Sequence, residues 1–230
     1  MGPMKIDLFG DSIGSVEYVS HMGSDLSVVN AARVSFGAEK TVVDDKDIKL
    51  INYLMAHNHS SPFEHCAITF KFTVPLFIRS QHHRHRTWAY NEISRRYTSV
   101  DMRFYEPALF RTQHKSNRQA STPELINPEL SVMMPAETAV KAHNRSSLHL
   151  YKELIDSGVC REQARGVLPQ SLYTEYFGTV SLHNLLKFIS LRIHEGAQWE
   201  IQQVAQACLE ITKSLFPESV KAFVSQREDS

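Results

Sequence analysis

The chain has 230 residues, and its 25 Lys and Arg side chains balance its 25 Asp and Glu side chains, which gives a formal net charge of zero. This length suits one large domain or two small ones, and the balanced charge excludes a general attraction to a polyanion such as DNA. The sequence has no run of 18 apolar residues and no basic segment followed by an apolar one at its start, so we expect neither a membrane span nor a secretory signal.

The first half of the chain mixes short strand patterns with helix patterns. We interpret residues 1–3 as a cloning remnant before a natural start at Met4. Apolar alternation predicts strands, and apolar residues three or four positions apart predict helices. On these criteria we predict strands over 5–9, 16–20, 66–74 and 101–105, and helices from an N-cap at Asp25 through Val34, over 45–56 and over 76–83.

The second half is predicted to be helical after a polar segment. Residues 111–130 contain Pro123 and Pro128 and are interpreted as an exposed loop or variable insertion. Helices are predicted over 136–156, 160–168 and 182–215, the last with a bend at Gly196. Mixed strands and helices followed by helices alone predict an α+β fold. We expect an antiparallel sheet packed with helices and a mostly helical C-terminal half, in a single domain over 1–230.

The segment 81–97, QHHRHRTWAYNEISRRY, is the densest cluster of chemically useful side chains. It sets four arginines against one carboxylate, and Trp88 and Tyr90 add flat faces on which a ring can stack. Arginine forks donate paired hydrogen bonds to phosphates. The chain lacks both glycine-rich phosphate motifs, G-x-G-x-x-G and G-x-x-x-x-G-K-[ST], so a nucleotide needs another cradle. This segment predicts a phosphate-bearing ligand with an aromatic base.

Three other interpretations of this segment stay open on composition alone. A basic run is often a solvated face. His82, His83 and His85 could bind a metal, although adjacent histidines on a helix point in different directions. A basic, aromatic-rich segment also suits a nucleic-acid-binding module, against which the neutral net charge counts.

Four ordered motifs resemble those of the flavin-dependent thymidylate synthases. Arg84-His85-Arg86, followed after seven residues by Ser94, resembles the signature R-H-R-x7-S. Upstream, residues 59–65, HSSPFEH, resemble H-x-[ST]-P-F-E-H. Downstream, residues 164–169 (ARGVLP) and 191–200 (LRIHEGAQWE) match in order and spacing, and the resemblance covers roughly residues 4–225.

The resemblance implies an enzyme that reductively methylates dUMP to dTMP. Methylenetetrahydrofolate is the one-carbon donor in this family, and FAD reduced by NADPH supplies hydride. The resemblance further implies a homotetramer in which FAD lies between subunits. The implied cofactor-binding residues are Ser61, Arg84, His85, Arg86, Glu92, Ser181, His183 and Lys187. The implied substrate-binding residues are Gln81, Arg84, Glu92, Ser94, Arg95, Arg96, Arg165 and Arg192, and His59 and Tyr90 are candidates for the folate or flavin face.

Arg192 is the residue to which the resemblance assigns catalysis, through polarisation of the uracil ring. It shares a predicted helix face with Leu185 and Phe188, and an arginine that points toward a core needs an anion or a carbonyl. The alternative is an ion pair with Glu195 or Glu200.

Neither serine nor cysteine chemistry is expected. Ser94 is predicted to position a ligand, because no base completes a triad with it. Cys66, Cys160 and Cys208 are odd in number, widely spaced and without a C-x-x-C pair. They predict free thiols in a reducing cytoplasm, and flavin chemistry makes a cysteine nucleophile unnecessary.

Three positions depart from the family pattern. Ser181 and Lys187 stand where asparagines are common, and Gly196 stands where a histidine is frequent. These differences put the FAD pocket in question more than the reaction. They leave open a paralogue that binds the nucleotide without turnover.

Overall fold

The computed structural model describes residues 4–228, so the interpretation of residues 1–3 as a remnant lies outside it. A five-stranded antiparallel sheet forms its centre, from β1 (Lys5–Asp7), β2 (Ser15–Met22), β3 (Ala67–Pro75), β4 (Ala89–Glu92) and β7 (Tyr173–Ser181). The strand order across the sheet is β1-β2-β3-β7-β4. A separate hairpin consists of β5 (Phe110–Gln113) and β6 (Ser121–Ile126).

Helices pack around this sheet, and the predicted α+β fold is confirmed. They are α1 (Asp25–Arg33), α2 (Asp45–Ala56), α3 (Ser61–Glu64), α4 (Leu76–His82), α5 (Ala136–Asp156), α6 (Arg161–Ala164), α7 (Leu182–Ile193), α8 (Trp199–Leu215) and α9 (Pro217–Glu228). The predicted bounds of α2 and α5 are correct. In residues 4–228, no helix is both long and apolar enough to cross a membrane.

The centre of the sheet is the pair β3 and β7, which align over nine residues from Ala67 opposite Ser181 to Pro75 opposite Tyr173. Every second residue of β3 is buried, as its alternation predicts. The sequence prediction of helices alone after residue 136 missed β7 and is wrong there. Gly178 of β7 lets the Phe72 and Trp88 rings approach its backbone, since a Cβ atom there would lie 2.9 Å from Phe72.

Asp25 does not cap α1, contrary to the prediction. The N-cap is Ser24, and the buried Asp25 carboxylate instead accepts hydrogen bonds at the start of α9. Its donors are the Glu218 amide (2.9 Å), the Ser219 amide (3.0 Å) and the Ser219 hydroxyl (2.6 Å). A carboxylate at a helix N-terminus satisfies amides that have no partner within the helix.

Four other predicted elements need correction. Residues 101–105 form no strand beyond an isolated bridge between Phe104 and Leu172. The predicted loop over 111–130 contains the β5–β6 hairpin, which tolerates Pro123 because that strand pairs on one side only. The predicted helix over 160–168 is α6 followed by a 3₁₀ turn over Arg165–Val167. The stretch 182–215 is two helices, and Gly196 lies in the break between them.

Candidate active site

The turn that follows α4 carries the R-H-R motif. The Tyr90 hydroxyl closes this turn from β4 by donating to the carbonyl oxygens of His82 (3.1 Å) and His85 (3.2 Å). The side chains of Arg84 and Arg86 are exposed, whereas His85 is half-buried. The turn therefore presents two arginines outward and one histidine toward the protein.

Trp88 is part of the core, so its predicted role as a stacking face for a ligand is wrong. It is 6% exposed, and its ring packs edge-on against Phe72 and Phe188. Tyr90 is half-buried and stacks on the His83 ring at 4.0 Å between ring centroids. The aromatic residues of the motif thus support the turn from within.

His82 is also a core residue. Its Nδ1 lies 2.7 Å from the Tyr176 hydroxyl, and complete burial holds its pKa well below the ordinary value. Across residues 4–228, no group of three or more His, Cys, Asp or Glu side chains is arranged to hold a metal ion. Cys66 and Cys208 are buried free thiols, and burial raises the pKa of Cys66 to about 11.

Arg192 reaches His85 from the last turn of α7. Its Nε donates to His85 Nε2 over 3.0 Å. Burial first, and then the charges of Arg192 and Lys187, lower the pKa of His85 to about 4, so the ring is neutral at pH 7. A neutral ring that accepts at Nε2 carries its proton on Nδ1. The Phe188 ring contacts the imidazole edge-on at 4.9 Å and fixes its plane.

The predicted alternative partners of Arg192 do not bind it. Among the described residues, no carboxylate lies within ion-pair distance of Arg192. Glu200 is buried and pairs with Arg111, and it also accepts from the Tyr105 hydroxyl (3.2 Å) and from Nε2 of the Gln198 side chain (2.9 Å). Burial also lowers the pKa of Arg192. A carbonyl group or an anionic ligand beside the guanidinium would offset the free-energy cost of burying its charge.

Arg192 and Gln81 line the same cavity, which has a volume of about 710 Å³. The β5–β6 hairpin and the break between α7 and α8 line it as well. Arg111 fastens the hairpin to α8 through its pair with Glu200, and its guanidinium lies 4.8 Å over the Trp199 ring. Sequence reasoning missed this wall, because it treated the hairpin as a loop outside the site.

The segment after β4 holds the other predicted substrate residues. Glu92 accepts from the Thr174 hydroxyl (2.7 Å) and lies 3.1 Å from Arg79 Nε. Ser94 begins a turn in which its carbonyl accepts from the Tyr97 amide (3.0 Å), while its hydroxyl accepts from the Arg96 amide (3.3 Å). Backbone donors and a hydroxyl are thus grouped at one turn.

The arginines of this region differ in their partners. Arg95 donates to the carbonyl oxygens of Val100 (2.8 Å) and Tyr173 (3.4 Å), so its guanidinium holds the loop to the sheet. Arg96 is exposed and lies 3.5 Å from Glu162 of α6. Arg165, just beyond α6, is exposed as well. Neither Arg96 nor Arg165 lines the cavity of Arg192 in this single chain.

A second cavity, of about 540 Å³, lies between α2, α3, α7 and α9. It brings together His59, His183 and Lys187, three residues predicted for the cofactor or folate region. Ser61 is the exposed first residue of α3, next to the cavity-lining Ser60. The Ser181 hydroxyl is engaged as the N-cap of α7, where it accepts from the Asn184 amide.

The family model described as thymidylate synthase complementing protein (Thy1) matches residues 17–218. The flavin-dependent thymidylate synthase of Thermus thermophilus is 42% identical over 222 residues, which are 96% of this chain and 79% of that protein. That of Thermotoga neapolitana is 41% identical over 211 residues, which are 92% of this chain and 91% of that protein.

A solved structure has the same fold. The UMP/dUMP methylase PolB from Streptomyces cacaoi, bound with 5-Br dUMP, superposes with a TM-score of 0.80 at 33% identity. The match covers 96% of this chain and 97% of that one. With the four ordered motifs, the family model and these relatives in agreement, the chain belongs to the flavin-dependent thymidylate synthases.

Proposed function

We propose that the chain methylates dUMP to dTMP as a flavin-dependent thymidylate synthase. The relatives that carry this activity in their names support the proposal, as does the dUMP analogue bound by PolB. The structural observation that carries it is the guanidinium of Arg192, which lines one cavity with Gln81 and is held from behind by a neutral His85.

Arg192 is the proposed catalytic residue. A guanidinium stays protonated under all ordinary conditions, so it stabilises negative charge and does not remove protons. Beside a uracil ring it favours ionisation at N3 and thereby raises the electron density at C5, the carbon that receives the methyl group. Because Arg192 is half-buried, its charge is less screened than it would be in water.

The remaining substrate residues are proposed to bind and orient the nucleotide. These are Gln81, Arg84, Glu92, Ser94, Arg95, Arg96 and Arg165. The exposed arginines Arg96 and Arg165 suit a phosphate. For Arg95, whose guanidinium is engaged by two carbonyl oxygens, the proposed role is to hold this loop in place.

FAD fits the residues that the family motifs predict for it. Lys187 and His183 line the cavity beside α9, the exposed Arg84 and Arg86 flank His85, and Ser61, Glu92 and Ser181 complete the proposed set. When bound and reduced by NADPH, FAD would supply the hydride that converts the methylene unit from methylenetetrahydrofolate into the methyl group. We propose a homotetramer, in which exposed arginines of one chain complete the cavity of another.

The experiment is tritium release from 5-tritiated dUMP by the purified protein with FAD, NADPH and methylenetetrahydrofolate. Arg192→Ala should lose activity about 100-fold or more, as expected for a group that stabilises developing charge. Arg145→Ala, an exposed position on α5, is the matched control and should keep wild-type turnover. Full thymidylate synthesis by Arg192→Ala would reject its catalytic role. Nucleotide binding without tritium release in the wild type would identify a paralogue without turnover.

A further inference from the structure

The cavity between α2, α3, α7 and α9, called here the α7–α9 groove, has an unusual charge balance. Lys187 and Arg227 line it together with His59 and His183, and none of its lining residues is Asp or Glu. The remaining lining is largely apolar. Two permanent cations that face one concave surface without a carboxylate make that surface attractive to an anion.

Arg227 is held in place by its neighbours. Its Nη1 donates to the Ser190 hydroxyl of α7 over 2.6 Å, and its guanidinium lies 5.7 Å over the Phe223 ring. In the described part of the chain, neither Arg227 nor Lys187 has an acidic partner within 4.0 Å. The Ser190 hydroxyl holds one edge of the Arg227 guanidinium, and the remaining N–H groups of that guanidinium are left to bind a ligand.

The groove and the R-H-R turn lie against two different faces of α7. Along α7, His183, Lys187 and Ser190 follow helical spacing on the face toward the groove. Phe188 and Arg192 lie on the other face, where both contact His85. The charge of Lys187 acts on the His85 ring. Lys187 therefore relates to both sites, because its charge acts on His85 and its side chain lines the groove together with Arg227.

We infer that Arg227, together with Lys187, binds the diphosphate of FAD in the α7–α9 groove. The inference rests on the proposed function, and it adds the C-terminal helix α9 to the cofactor site, whereas the family motifs end at Glu200. A diphosphate offers several anionic oxygens to one arginine fork and one ammonium group. Lys187, where the family commonly has asparagine, then contributes charge in place of an amide contact.

The test is the affinity of the FAD-free full-length protein for FAD, measured by quenching of flavin fluorescence. Arg227→Gln keeps a donor for Ser190 and removes the charge, and Lys187→Gln removes the other cation. Each should weaken FAD binding about tenfold or more, as for the loss of a hydrogen bond to a charged group. Lys221→Gln, an exposed lysine of the same helix, is the matched control and should bind FAD as the wild type does.

Riboflavin, which lacks the diphosphate, separates a phosphate contact from a packing change. The wild type and both variants should bind riboflavin with equal affinity. Added salt should weaken FAD binding less in the variants than in the wild type. Wild-type affinity for FAD in Arg227→Gln would overturn the inference, as would an equal loss for FAD and riboflavin. If Arg227→Gln does not fold, Lys187→Gln and the salt dependence decide. The measurement needs no turnover, so failure to form dTMP rejects the proposed function alone.

Discussion

Replacing His85 should lower the catalytic contribution of Arg192, although Arg192 itself is unchanged. His85→Phe keeps a ring against Phe188 but removes the acceptor of the 3.0 Å hydrogen bond from Arg192. A hydrogen bond to a charged group is worth about 1.5–3 kcal/mol, and both partners are half-buried, so we expect about 1.5–2 kcal/mol. That loss corresponds to roughly 10–30-fold in kcat/KM for dUMP. His85→Gln, which retains an acceptor near the Nε2 position, should recover most of it.

The assay is tritium release at saturating FAD, with flavin content checked by absorbance and dUMP affinity measured by calorimetry. If His85 acts through Arg192, His85→Phe should cost little in an Arg192→Ala background, because the contact is already gone. Full additivity of the two losses would refute the reasoning and would assign His85 an independent role. A fall in flavin content that accounts for the whole loss would refute it too.

Three further perturbations test the surrounding structure. Burial lowers the pKa of His85 to about 4, so between about pH 4 and 6.5 the unfolded chain binds more protons than the folded one. Urea denaturation should therefore give a lower free energy of unfolding at pH 5 than at pH 7. The difference between the two pH values should be smaller for His85→Gln. Gly178→Ala places a methyl group 2.9 Å from the Phe72 ring and should lower the free energy of unfolding by about 1–3 kcal/mol, measured by urea denaturation. Glu200→Gln leaves the half-buried Arg111 without its carboxylate and should cost about 3 kcal/mol, and unchanged stability would contradict the role given to this pair.

The sequence predicts elements well where the signal is local. Asp45–Ala56 carries apolar residues at helical spacing, Ala136–Asp156 stops just before Gly158, and both helices have the predicted bounds. The strand Tyr173–Ser181 contains Gly178 and several polar residues, and its partner β3 lies about 100 residues earlier in the chain. Its formation depends on that distant pairing, which no local pattern reports.

The residues of the site also differ in whether a local sequence signal predicts them. Arg192 and Gln81 could be named from the motifs, and both line the larger cavity. The hairpin wall and the acceptor role of His85 could not be named, because each depends on where remote segments meet. Trp88 was misjudged for a related reason, since a tryptophan in a polar run gives no sign that the chain turns it into the core.

The bond between Asp25 and the start of α9 ties the first helix to the last across 194 residues of sequence. The α7–α9 groove takes Phe223 and Arg227 from α9, so its lining is complete only when that helix has folded onto α7. A change at Asp25 would therefore act on ligand binding in a groove that α1 itself does not line.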